Sequence, residues 1–185
     1  MQYDIINLLL FFLIYGFCGF LLESVFRSIT EKKIVVSRGF LTNGFCPLYG
    51  LCGIAIVQIF TLSEIIINGR FAALLIATIG SITIVTFLEY ATGRTLDRVF
   101  HHKMWDYSEY PLNLHSYICL DFSLMWGILA LLLSSFIHPL LEYGVLALNN
   151  TLKYNLIIIV SAVLTVNTSY NYRILYLSDH RLIID

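Results

Sequence analysis

Two eighteen-residue stretches, Ile5–Leu22 and Phe71–Leu88, contain no charged side chain at all. About 20 mostly apolar residues in a helix cross the hydrocarbon core of a bilayer. With no water there to satisfy backbone groups, the helix is the only open-ended structure that can do so. Runs of this length therefore make lipid, not water, the solvent of the folded chain. Composition agrees: 12% of the 185 residues are charged and 58% are hydrophobic, where soluble domains carry roughly 25% charged residues. The expected fold class is all-α, a polytopic integral membrane helix bundle.

Five apolar segments are expected to form one transmembrane domain over residues 1–185, at about 5–27, 47–63, 71–93, 119–137 and 155–177. Basic residues then predict their direction. Arg27, Lys32, Lys33 and Arg38 follow the first segment, Arg94, Arg98 and Lys103 the third, and Arg173 and Arg181 the fifth; only Arg70 and Lys153 fall on the opposite side. Nine of the 11 basic residues thus share one side, which places the N-terminus outside and the C-terminus in the cytoplasm. The first segment lacks the basic start and small-residue cleavage site of a signal peptide, and is expected to be retained.

Several functions are disfavoured by what the chain carries. A net charge of −1 offers no basic surface for nucleic acid. Cys18, Cys46, Cys52 and Cys119 lie in or beside apolar runs without zinc-type pairing. His101 and His102 are neighbours and would point about 100° apart on a helix. No metal and no cofactor are expected, and no Gly-rich phosphate loop marks a nucleotide hydrolase.

A weak repeat is visible. Phe20-Leu21-Leu22-Glu23 leads through a basic loop to Phe45-Cys46-Pro47-Leu48-Tyr49-Gly50. Phe87-Leu88-Glu89-Tyr90 leads through a polar loop to Ile118-Cys119-Leu120-Asp121. Two such helix–loop–helix units would form a parallel repeat. Glu23 and Glu89 each lie eighteen residues into their segments, or roughly 27 Å at 1.5 Å per residue. Both are thus expected near the cytoplasmic face, where the fourth segment begins at Asp121. Intramembrane and interfacial carboxylates default to a functional reading. Glu23 and Arg27 can pair at i,i+4, whereas Glu89 lacks a well-spaced local cation and is expected to find its partner across the bundle.

Glu23, Arg27, Arg38, Asn43, Glu89, Asp106, Asn113 and Asp121 are the candidate ligand-binding residues. The aromatics of Trp105-Asp106-Tyr107-Ser108 and Tyr110-Pro111-Leu112-Asn113 are expected as interfacial anchors. His138-Pro139 is expected to end the fourth helix. The polar set Asn167, Thr168, Ser169, Asn171 and Arg173 is expected to turn the fifth helix toward the bundle interior.

The segments Arg38-Gly39-Phe40 to Cys46-Pro47-Leu48-Tyr49-Gly50, Leu88-Glu89-Tyr90, Trp105-Asp106-Tyr107-Ser108, Pro111-Leu112-Asn113-Leu114 and Ile118-Cys119-Leu120 resemble the CmpB-like ABC-transporter permease family of bacterial membrane proteins. The resemblance covers about residues 10–135. Ser116-Tyr117 departs from it, standing where the family has a Gly-Arg pair. The resemblance implies a transport component in the bacterial plasma membrane, a permease subunit for a small molecule or ion that works with membrane lipids around it and with a separate ATPase subunit or a second copy. Two other readings stand beside it. One is an intramembrane enzyme on a lipid-linked substrate, with Glu89 or Asp106 as general base and Arg38 or Arg94 on a phosphate. The other is a non-catalytic membrane partner protein.

Overall fold

The structure, a computed structural model, describes residues 3–30, 32–36, 42–101 and 103–181, with side chains through 174. Its order is α1 (Ile5–Thr30), α2 (Pro47–Ile66), α3 (Arg70–Phe100), β1 (Asn113–Leu114), β2 (Ile118–Cys119), α4 (Leu120–Leu132), a π-helical turn (Leu133–Ile137), α5 (His138–Ala147) and α6 (Asn150–Arg181). Five helical runs are long and apolar enough to cross a membrane, with α4, the π turn and α5 counting as one run, Leu120–Ala147. The protein is a polytopic helical membrane protein.

One helix departs from its expected end, and another from its expected facing. The fourth span does not stop at His138-Pro139 but continues to Ala147. Proline has no N–H, and its ring crowds the carbonyl four residues back, so it normally breaks or kinks a helix. Here the widened turn absorbs it: the His138 N–H reaches back five residues to the Leu133 carbonyl, a π-bulge that lets the chain carry the ring.

The fifth span turns its polar set inward only in part: Asn167, Thr168 and Asn171 are half-buried, whereas Ser169 and Arg173 are exposed. Only 6% of its most apolar window is buried, against 39% for α2. Some of its polar groups bond within their own helix. Thr165 Oγ1 donates to the Ser161 carbonyl at 2.8 Å and Asn171 Nδ2 to Asn167 Oδ1 at 3.1 Å.

Packing divides the chain into two compact units, Leu51–Ala147 and Tyr3–Gly50 with Leu148–Asp185. In the first, α3 lies along α4. Its buried residues Ala73, Ala77, Ser81, Val85, Glu89 and Gly93 recur every fourth position, one face of a 3.6-residue helix. Small residues on this face allow close backbone approach, which is what drives helix association in lipid. Gly127 on α4 faces the same way, and a Cβ there would lie 2.7 Å from Ile82 Cδ1.

In the second unit, α1 packs against α6. Asp4 caps α1 by accepting the Asn7 N–H at 2.9 Å. The Asn7 side chain in turn accepts from the buried Lys153 Nζ on α6 at 2.9 Å. Further along α1, Gly16 and Gly19 receive the Phe45 and Tyr49 rings so closely that a Cβ on either glycine would overlap them. Gly19→Ala is expected to destabilise the protein by about 1–3 kcal/mol, the usual cost of overpacking. Thermal unfolding in detergent measures it, and an unchanged midpoint would show that Tyr49 can move aside freely.

Candidate functional site

The last turns of α3 carry Glu89, buried to 5% exposure. A buried carboxylate needs hydrogen bonds from the protein, and Glu89 receives them from two separate segments. Tyr107 Oη donates to Oε1 at 3.0 Å and Trp126 Nε1 donates to Oε2 at 3.1 Å. Trp126 comes from α4, one turn beyond Phe122. Tyr107 comes from the connection between α3 and α4, which is folded for the purpose.

That connection begins where His101 adopts a left-handed conformation and its N–H closes on the Leu96 carbonyl, ending α3. Trp105 then lies over Gly93, where a Cβ would come within 3.2 Å of its ring, and its Nε1 donates to the Tyr117 carbonyl at 2.7 Å. The Tyr107 N–H donates to the Ser116 carbonyl at 2.9 Å. β1 and β2 pair antiparallel, with Asn113 opposite Cys119. The Tyr107 ring stacks on Phe122 at 4.8 Å, and Tyr110 meets both edge-on at 5.8 and 5.4 Å. The phenol is thereby fixed at backbone and ring before it reaches Glu89.

Asp106 and Asn113 build this loop. Asp106 Oδ1 accepts the Ser108 N–H at 2.9 Å, and Lys103 Nζ stands 3.5 Å from its other oxygen. The Ser108 hydrogen bonds, aided by Lys103, hold the exposed Asp106 carboxyl below its usual value, which makes it a weak base. Asn113 Nδ2 donates to the Tyr110 carbonyl at 2.8 Å, and its Oδ1 accepts the Ser116 N–H at 3.3 Å. Tyr117 donates to Asp97 at 2.5 Å, and that carboxylate raises the phenol's pKa and keeps it protonated. Asp121 is exposed in the first turn of α4, where its charge suits the helix dipole.

The second unit holds a simpler carboxylate. Glu23 Oε2 accepts from Tyr49 Oη at 3.1 Å, made possible by Gly19. Arg27 lies one turn further along α1 and is half-buried. The Asn43 N–H donates to Asn167 Oδ1 at 2.8 Å, and the Cys46 N–H donates to the Gly16 carbonyl at 3.0 Å, so the chain entering α2 is tied to both α6 and α1. Arg38 lies outside the described residues.

Of the eight candidate residues, Glu89 is thus a buried carboxylate reached across the bundle, as its lack of a well-spaced local cation implied. Asp106 and Asn113 position the segment that reaches it. Trp105 donates its indole N–H to the Tyr117 carbonyl and so helps to hold the connection together. Trp126, Tyr49 and the clamping role of Asn167 were missed. A tryptophan inside an apolar span was a usable signal for the first, since a buried indole N–H requires an acceptor.

Five helices long and apolar enough to span a bilayer, together with the family that the chain matches, make this a multi-pass, transport-related membrane protein. The chain belongs to the family described as "Putative ABC-transporter type IV", which matches residues 10–172. The match runs beyond the quoted motifs into α6. No curated protein and no solved structure matches the chain.

The family difference at Ser116 has a physical consequence. His115 and Ser116 have φ of 54° and 61°, and the Tyr117 N–H closes the turn on the Leu114 carbonyl at 3.2 Å. Two consecutive positive φ values belong to a type I′ turn, which favours glycine. Ser116→Gly is expected to stabilise the protein by about 1 kcal/mol, outweighing the loss of the exposed 3.3 Å contact from Lys103 Nζ to Ser116 Oγ. Thermal unfolding checks the sign.

Proposed function

We propose that this protein is a permease subunit for a small molecule or ion, with Glu89 as a cation- or proton-binding group. The observation that carries this reading is the buried Glu89 carboxylate held by the Tyr107 phenol and the Trp126 indole. Neither donor carries a formal charge, and a carboxyl group can accept from both whether ionised or protonated. Such a group can exchange a proton or cation without losing its place, whereas an arginine partner would hold it permanently ionised. Glu23, Arg27 and Asn43, with Arg38 from its place in the sequence, remain further candidate ligand residues of the same chain. The charge distribution supports an N-terminus outside and a C-terminus in the cytoplasm of a bacterial plasma membrane.

Five spans are few for a complete path, so the reading includes a partner, either an ATPase subunit or a second copy. Support comes from α6, where Ser161, Thr165 and Ser169 are exposed one turn apart on the least covered span. Small and hydroxylated residues at this spacing suit contact with another helix in lipid. The enzyme reading is weaker, because Asp106 is held as an anion in a turn and leaves Glu89 as its one remaining base.

The test is purification of the tagged full chain from its native membrane in mild detergent, beside solute profiling of a deletion strain. An ATP-hydrolysing subunit is expected to co-purify. Glu89→Gln is expected to keep that complex while lowering solute accumulation to the level of the deletion strain. Unaltered solute pools on deletion, with no ATPase recovered, would sink the proposal.

A further inference from the structure

The charges at the end of α3 are sorted by face. Glu89 and Asp97 turn toward the α3–α4 connection and are engaged there, Glu89 by Tyr107 and Trp126 and Asp97 by Tyr117. Arg94 and Arg98 lie on another side, along an open face of α3 shared with Phe87, Tyr90 and Ala91. Among the described residues no carboxylate lies within ion-pair distance of either arginine. This stretch therefore presents two positive charges, and its nearest acids are committed elsewhere.

Arg94 is also held in place. Its Nη1 donates to Tyr90 Oη at 3.0 Å, and its guanidinium stands 5.8 Å from the Tyr90 ring centre. Tyr90 Oη lies 3.2 Å from His115 Nδ1, so the tyrosine itself is fixed. The contact uses one of five guanidinium N–H donors. An arginine with a set position and spare donors is suited to bidentate contact with a phosphate.

Depth selects the kind of phosphate. Counted from Phe71, Arg94 and Arg98 lie roughly 35 and 41 Å along the helix. The hydrocarbon core is about 30 Å thick and the bilayer with headgroups about 40–45 Å. From the hydrocarbon edge at Phe71 the far headgroup layer spans roughly 30 to 37 Å, so Arg94 reaches headgroup level and Arg98, one turn on, its outer edge, in whichever leaflet α3 ends. Phe87, 60% exposed, lies two turns below in the hydrocarbon, where an acyl chain would run.

We propose that Arg94 and Arg98, with Tyr90 and Phe87, form a binding site for the headgroup and upper acyl chain of an anionic phospholipid. The site is independent of the transport reading and stands or falls without it.

The test uses the full chain equilibrated in vesicles of phosphatidylcholine and phosphatidylglycerol in equal parts. The lipids retained after gentle extraction are then read by native mass spectrometry. The wild type is expected to retain phosphatidylglycerol preferentially. Arg94→Gln with Arg98→Gln is expected to lower that preference by roughly thirty-fold, from about fivefold per basic group at a membrane surface. Arg94→Lys with Arg98→Lys, a folded control that keeps the charge, is expected to retain most of it. Helix content and elution volume establish that each variant folds, and Arg173→Gln serves as a remote charge control. The proposal is overturned by a wild type with no preference, by a folded double glutamine variant that keeps it, or by an equal loss in Arg173→Gln. Displacement of the lipid by millimolar inorganic phosphate would likewise overturn it in favour of a free-anion site.

Discussion

Inside hydrocarbon there is no water to complete the hydrogen bonds of a polar group, so each must be completed by protein or the group must stay out. Glu89 imposes this condition on the whole unit around it. Its two oxygens require donors from different places, and both sources are consequences of that need. The α3–α4 contact, made close by Ala77, Ser81 and Gly127, brings Trp126 alongside. The connection between the helices cannot remain a loose polar loop, because it must present the Tyr107 phenol at one position. Its internal bonds, from Trp105 to the Tyr117 carbonyl and from the Tyr107 N–H to the Ser116 carbonyl, supply that rigidity.

The same solution appears in reduced form in the second unit. Glu23 also sits near the end of an apolar helix and also accepts from a tyrosine that returns after the connection. A glycine makes room for the aromatic in each case, Gly19 for Tyr49 and Gly93 for Trp105. The likeness of the two segments in sequence therefore has a chemical counterpart, a helix-end glutamate met by a phenol. The surroundings differ in ways that set the roles apart. Tyr49 stands in the first turn of a helix, whereas Tyr107 stands on a stacked aromatic platform with Phe122 and Tyr110.

The spans were legible in the sequence because charge exclusion from lipid is a one-dimensional rule, readable from Ile5–Leu22 and Phe71–Leu88 without any knowledge of packing. The need of Glu89 for a distant partner was legible too, from the lack of a well-spaced cation along its own helix. What failed required three dimensions. Pro139 looked like an ending because the π turn that accommodates it leaves no mark in composition. The polar set on α6 was legible only in part, because sequence does not reveal that Asn167 meets the Asn43 N–H while Ser169 and Arg173 stay exposed. The bond from Trp105 was not legible, because an indole at headgroup depth reads the same whether its N–H meets water or the Tyr117 carbonyl. The polar loop residues Asp106 and Asn113 were found for their chemistry, yet the loop uses them for its shape.

The sorting of charge along α3 ties these observations together. A helix leaving the hydrocarbon must hydrate its charges or pair them, and α3 does both on different sides. Its acids, Glu89 and Asp97, are paired with aromatic donors on the side of the folded connection. Its arginines, Arg94 and Arg98, are left on the open side. Mixed placement would have let Arg94 or Arg98 neutralise a carboxylate directly, fixing Glu89 or Asp97 as an ion-paired anion. Separation keeps Arg94 and Arg98 away from both carboxylates and leaves these two cations for the membrane surface. Tyr90 lies between the two sides, next to Glu89 in the chain and hydrogen-bonded to Arg94. Any rotation of this last stretch of α3 that altered the donors around Glu89 would therefore carry Tyr90 and Arg94 with it. The two faces are chemically separate but mechanically one.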